Sequence, residues 1–266
     1  MSEKLRFADS GEAADLAAFL GRLVHYDRAA AVRLQAGGGA LAVFGRPPSF
    51  DVVAVRTVRL AAPVSAPLDR TVSAGELLES VDEASASALV PAAVTGPPWA
   101  GVLPPRGGWR QLDGLPGLDA VRAAVTAAVA EFRARDEALP AQHRTRSERD
   151  RIGREIWSRT LGDTELPLRA VHAAQALGFL RPVRPAAAVP AAASAQASAA
   201  APASASAAVP ASVLAPASVP GPGSAPAPLA LLASRNWLRL RTPYGSVALR
   251  RPGSAEGLGA LGVRPV

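Results

Sequence analysis

The chain has 266 residues and a formal net charge of +7, and all but one of its 29 basic side chains are arginine. It has no cysteine, which excludes disulfides, a thiol nucleophile and thiolate metal sites. It has no run of about 18 strongly apolar residues and carries acids in its first turns, so neither a bilayer span nor a signal peptide is expected.

The expected location is the cytoplasm. Arginine, alanine, glycine and proline share GC-rich codons, so the composition points to a high-GC bacterial source and says nothing about fold. The charge is unevenly placed. Residues 1–105 hold nine basic and eleven acidic side chains, and residues 106–266 hold twenty and eleven. A basic second half points to a polyanionic partner, although an arginine surface set by codon usage accounts for the same excess.

Asp9 or Ser10 caps a first helix over about Gly11–Tyr26, with Glu12 and Asp15 near its positive end. Leu16, Phe19, Leu20, Leu23 and Val24 share one face of it. Ala31–Leu60 then reads as three antiparallel strands. Val32 and Leu34 alternate with Arg33 and Gln35, Gly37-Gly38-Gly39 supplies a hairpin turn, Ala40–Phe44 follows, and Phe50–Leu60 is the strongest strand signal. A phosphate loop at the three glycines would need a helix after it, and a strand follows. Ser73 and Glu76 have capping-box spacing for a short helix at Ala74–Glu83. Pro91–Gly117 is an extended connection pinned by Trp99 and Trp109, with a partner groove as the alternative role for those indoles.

Leu118–Leu139 is the clearest helix, with Leu118, Val121, Val125, Val129 and Phe132 at spacings of three and four. Thr145 and Glu148 open a second helix that ends at Gly162. Glu165–Leu177 forms a third, capped by Asp163 or Thr164 and closed by Gly178. Phe179–Val183 reads as a strand.

Pro185–Ser234 has no charged residue and is dominated by alanine, serine and proline. Such a composition cannot bury enough apolar surface to offset the entropy of ordering, so a disordered insertion is expected. Beyond it, Trp237–Arg241 and Ser246–Arg250 flank Thr242-Pro243-Tyr244-Gly245, a type I turn signature. Leu238, Leu240, Val247 and Leu249 share one face of that hairpin; Trp237, Arg239, Arg241 and Arg250 share the other. Closing about 50 residues instead of about 5 costs roughly 2 kcal/mol, whereas burying four aliphatic side chains returns roughly 6–12 kcal/mol. Docking the hairpin onto the body is therefore favourable.

The order from Thr145 onward, helix, turn, helix, strand, interruption, strand, resembles a winged helix-turn-helix. That resemblance implies a recognition helix at Glu165–Leu177 and a wing that carries the tract. The nucleic-acid contact candidates are then Arg169 and His172 on the helix and Arg239, Arg241, Arg250 and Arg251 on the hairpin. A helical bundle with a basic surface accounts for the same residues. Arg144, Arg146, Arg149, Arg151 and Arg154 are interleaved with acids, so an ion-paired helix face is expected there, with phosphate binding as the alternative. His25, His143 and His172 lack metal-ligand spacing, no G-x-S-x-G motif occurs, and no carboxylate pair stands out. No catalytic residue, metal or cofactor is therefore assigned.

The expected architecture is α+β. Residues 1–95 form a helix plus antiparallel-sheet unit, 96–117 a Pro/Gly/Trp connection and 118–184 a helical unit. Residues 185–234 are the disordered insertion, 235–251 a β-hairpin docked on the body and 252–266 a flexible tail. The functional expectation is a non-enzymatic interaction or regulatory protein whose partner is a nucleic acid or another protein; an enzyme acting on a small molecule is the alternative. Oligomeric state and the sheet that the hairpin joins are not legible at this level.

Overall fold

The computed structural model describes residues 3–97, 99, 102–182 and 229–251. The fold is α+β, with antiparallel strands throughout. Strand β1 (Lys4–Arg6) precedes helix α1 (Ser10–Tyr26), whose N-cap Asp9 accepts from the Glu12 amide at 2.9 Å. The apolar face read from the sequence is the buried one: Leu16, Phe19, Leu20 and Leu23 are in the core.

Strands β2 (Ala31–Gly37), β3 (Ala40–Gly45) and β4 (Val53–Arg59) form the expected meander. Gly37 pairs with Ala40, so the turn is Gly38-Gly39, and Gly38 takes φ +59 without a Cβ penalty. Phe50–Val52, assigned to the third strand from its valine run, is loop. Ser49 and Asp51 adopt left-handed φ of 69 and 51, a kink that stops the ladder from extending upstream.

β5 (Leu68–Ser73) adds to β2 at one sheet edge, and α2 (Ala74–Ser80) follows at once with Ser73 as its side-chain cap. β6 (Ser87–Leu89) pairs with β1 in a separate two-stranded ladder. β7 (Arg110–Leu112) closes the connection. Then come α3 (Leu118–Ala138), α4 (Arg146–Ser158, capped by Thr145) and α5 (Leu168–Ala176). α5 begins three residues later than its sequence pattern because Pro167 is its N-cap. Thr164 instead closes a tight turn, donating to the Leu161 carbonyl and accepting from the Leu166 amide.

Two further expectations are corrected. Phe179–Val183 is not a strand over its described part. Phe179 and Leu180 lie in a turn after Gly178 and bury their side chains, and the Phe179 ring stacks on Phe19 at 5.4 Å. The expected disordered insertion does not extend to Ser234: Ala230–Ser234 is strand β8, wholly buried. Its alanines and leucines suit a strand covered on both faces, a pattern that composition alone merges with the preceding low-complexity stretch. Residues 183–228 and 252–266, on which the calls of a disordered insertion and a flexible tail fall, lie outside the described residues.

β8 leads through Arg235-Asn236 into β9 (Trp237–Thr242) and β10 (Gly245–Arg250). The Pro243-Tyr244 turn has no positive φ, so it is not of the primed type. β10 pairs with β4, with Ser246 opposite Val55 and Ala248 opposite Val53. The hairpin therefore joins the N-terminal meander, giving one eight-stranded sheet ordered β5-β2-β3-β4-β10-β9-β8-β7. The ends of the described body also meet here. The Tyr244 hydroxyl donates to the Pro182 carbonyl, and Ala230 pairs with Arg241.

One face of the sheet carries Val32, Leu34, Leu41, Val43, Val58, Leu231, Leu238, Leu240, Val247 and Leu249 into a single core shared with the helices. The opposite face is crossed by the Pro/Gly connection. The Val94 amide donates to Thr71 on β5, Trp99 packs on Phe44, Val53 and Val55, and Arg110 pairs with Ala233 on β8. Gly96 is needed at the first crossing, because a Cβ there would lie 2.5 Å from Thr71 Cγ2.

Candidate functional site

Register places Trp237, Arg239 and Arg241 of β9 and Ser246, Ala248 and Arg250 of β10 on the face away from the helices, as the alternation of the hairpin predicts. The four strands β7 to β10 contain Arg110, Arg239, Arg241 and Arg250 and no acidic residue. Arg239 is half-buried; its Nε donates to Ser246 Oγ at 2.8 Å and its guanidinium faces the Trp109 ring at 5.7 Å. Burial, and then the neighbouring charge of Arg241, push its guanidinium below the usual arginine range. Arg241 has a buried Nε with no acceptor. Arg250 lies over the Trp237 ring at 5.0 Å.

At the end of the sheet where β10 finishes, a cleft of about 190 Å³ is lined by Arg46, Asp51, Val53, Val102, Trp237 and Arg250. One wall is the kinked Arg46–Val52 loop. The sequence reading missed Arg46, a lone cation before Pro47-Pro48 whose position depends on that kink.

The remaining candidates gather behind this loop. Arg169 reaches Asp51 at 3.8 Å, and Arg251 pairs with Glu165 at 2.8 Å. His172 stacks on Trp157 at 4.3 Å and meets Phe50 edge-on at 5.2 Å, and Tyr26 extends the aromatic row. Thus Arg169, His172, Arg250 and Arg251 come together at one end, while Arg239 and Arg241 lie farther along the open face. α5 itself buries Leu168, Ala170, Val171, Ala173 and Ala174. Its Arg169, His172 and Ala176 are partly exposed and its Gln175 is exposed, and with Phe179 and Leu180 in a turn no strand follows α5 up to Pro182. The arginines of α3 and α4 are largely paired: Arg149 with Asp136, Arg151 with Glu148, and Arg135 and Arg159 with Glu131 and Glu155.

Burial holds the His172 imidazole below its ordinary range. The unfolded chain then binds the proton first as pH falls, so His172 subtracts stability below about pH 6.5. Urea melts from pH 8 to pH 5 should show the protein losing stability relative to His172→Phe, which keeps the stack without the titration. Parallel curves would remove this assignment.

Among the described residues, no three His, Asp or Glu side chains cluster as metal ligands, and no helix is long and apolar enough to cross a membrane.

The fold defines an α+β protein built on one eight-stranded antiparallel sheet and a smaller two-stranded one, with helices on one face of the large sheet and a proline-rich strap on the other. Residues 1–101 match a family model described as a domain of unknown function, DUF8010, and residues 104–254 match another, DUF8185. The second spans more than half of the chain, which belongs to that DUF8185 family. No curated protein and no solved structure matches. The two matched regions contribute four strands each, and the β4–β10 ladder is the seam between them.

Proposed function

We propose that this chain is a non-enzymatic interaction protein that holds a polyanion, with a nucleic-acid backbone as the partner class, at the arginines on the outer face and cleft end of strands β9 and β10. The observation that carries this reading is the row of Arg239, Arg241 and Arg250 on that face of acid-free strands, which ends in a cleft lined by Arg46 and Asp51. Phosphate contacts by arginine supply sequence-independent affinity and need no helix in a groove. Single strands should therefore bind at least as well as duplexes.

Fluorescence anisotropy with labelled oligonucleotides tests the proposal. With about three phosphate contacts, affinity should fall about 20-fold for single strands and about 40-fold for duplexes between about 50 and 200 mM salt. Arg46→Gln combined with Arg250→Gln should weaken binding and flatten that dependence. Absence of binding to any single strand or duplex at low salt would refute it, as would salt-independent binding.

A further inference from the structure

We propose that Arg239, Arg241 and Ser246 form a site for a dianionic phosphate group, either inorganic phosphate or a terminal phosphate ester. The assignment rests on the anion-binding reading of this face but not on the partner being a nucleic acid.

Three observations converge. Arg239 and Arg241 are two residues apart on β9, so both project from the same face roughly 7 Å apart. Arg241 stands directly opposite Ser246, the residue whose Oγ holds Arg239 Nε. The group is therefore compact and cross-linked by the hairpin register. The donors also outnumber the acceptors. Arg239 spends only its Nε, which leaves its terminal nitrogens. Among the described residues the Arg241 side chain makes no hydrogen bond or ion pair, and its Nε is buried without an acceptor. Ser246 is 1% exposed and accepts from Arg239, while its own proton has no acceptor among the described residues.

Among the described residues no carboxylate pairs with either guanidinium. Two guanidiniums repel each other where the strands β7 to β10 supply no carboxylate, and Arg239 already shows the effect of burial and of that repulsion. An anion that offsets both charges carries about −2 and presents three or more acceptor oxygens, as a phosphomonoester does. A carboxylate or an internal phosphodiester carries one negative charge and leaves half of the repulsion in place. Trp109, facing Arg239, supplies an optical reporter beside the site.

The first experiment compares thermal melts of the full chain in inorganic phosphate and in chloride at matched ionic strength. At about 100-fold excess over the dissociation constant, phosphate should raise Tm by about 5–10 °C, saturably. Arg241→Gln should abolish the difference. In chloride that variant should melt close to the parent, because the lost repulsion offsets the packing lost with the end of the side chain. No shift in the parent, an equal shift in Arg241→Gln, or a Tm of Arg241→Gln in chloride far below the parent's would each overturn the assignment.

The second experiment titrates one oligonucleotide carrying either a 5′-phosphate or a 5′-hydroxyl. Preference of tenfold or more for the phosphorylated end, erased by Arg241→Gln, identifies a strand terminus as the source. A phosphate-induced Tm shift without that preference identifies a free phosphate or small ester. Retention of the phosphate shift in a protein that binds no oligonucleotide would overturn the nucleic-acid reading and leave the site standing.

Discussion

Arg56→Ala should lower the unfolding free energy by about 3–5 kcal/mol, the range for breaking a buried ion pair by removing one partner. Arg56 occupies a core-facing position of β4, opposite Val43, and is 6% exposed. Its Nη2 donates to Glu12 Oε2 at 2.8 Å and to Asp15 Oδ2 at 3.4 Å, and its Nη1 to the Tyr244 carbonyl at 2.8 Å. One guanidinium thus ties α1, β4 and the β9–β10 turn together across the seam of the sheet. Arg181 reinforces the junction by pairing with Asp15 and lying over the Tyr244 ring at 3.7 Å. Truncation leaves Glu12 to Arg59 and Asp15 to Arg181 alone, and removes the guanidinium donor to the Tyr244 carbonyl. Arg59 shares Glu12 but is more exposed, so Arg59→Ala should cost about 1 kcal/mol or less. Urea denaturation of both variants checks the contrast. A similar small loss in the two would show that Arg56 is not the junction. Combining Arg56→Met with Glu12→Gln and Asp15→Asn should recover part of the loss, since the carboxylate charges that lost Arg56 are then gone.

Phe179→Ala should cost about 3–5 kcal/mol, the range for deleting a buried aromatic ring. Phe179 is fully buried, and its ring stacks on Phe19 with an interplanar angle of 27°. It also supports the hairpin backbone: a Cβ at Gly245 would lie 2.6 Å from its Cε1 and Cζ. Gly245→Ala should therefore destabilise by overpacking, by about 1–3 kcal/mol. The two sites should be coupled. In Phe179→Leu, whose side chain ends short of the ring's far edge, Gly245→Ala should cost measurably less than in the parent. Additive losses in the four-way comparison would mean that the hairpin does not rest on this ring.

Local pattern was sufficient where one face of an element is buried and the other wet. Leu16, Phe19, Leu20 and Leu23 mark α1 for that reason, and the alternation of Trp237–Arg241 assigned Arg239 and Arg241 to the outer face. Side-chain caps at Asp9, Ser73 and Thr145 were legible because each bonds an amide three residues on. The failures have a common cause. β8 is buried throughout, so it shows no alternation and reads as more of the alanine-rich tract. Phe179 and Leu180 look like strand residues because burial, not strand geometry, is what their apolarity reports.

The chain's own pattern was enough to establish the α+β class, the meander, the long helices and the arginine face of the hairpin, because periodicity and capping act over a few residues. Tertiary structure alone decided that the hairpin pairs with β4, that β8 extends the sheet, that the tryptophan strap crosses its outer face, and that Arg241 has no carboxylate partner among the described residues. Those outcomes depend on contacts between residues as far apart as Arg56 and Tyr244, and only packing and ladder hydrogen bonds select among them.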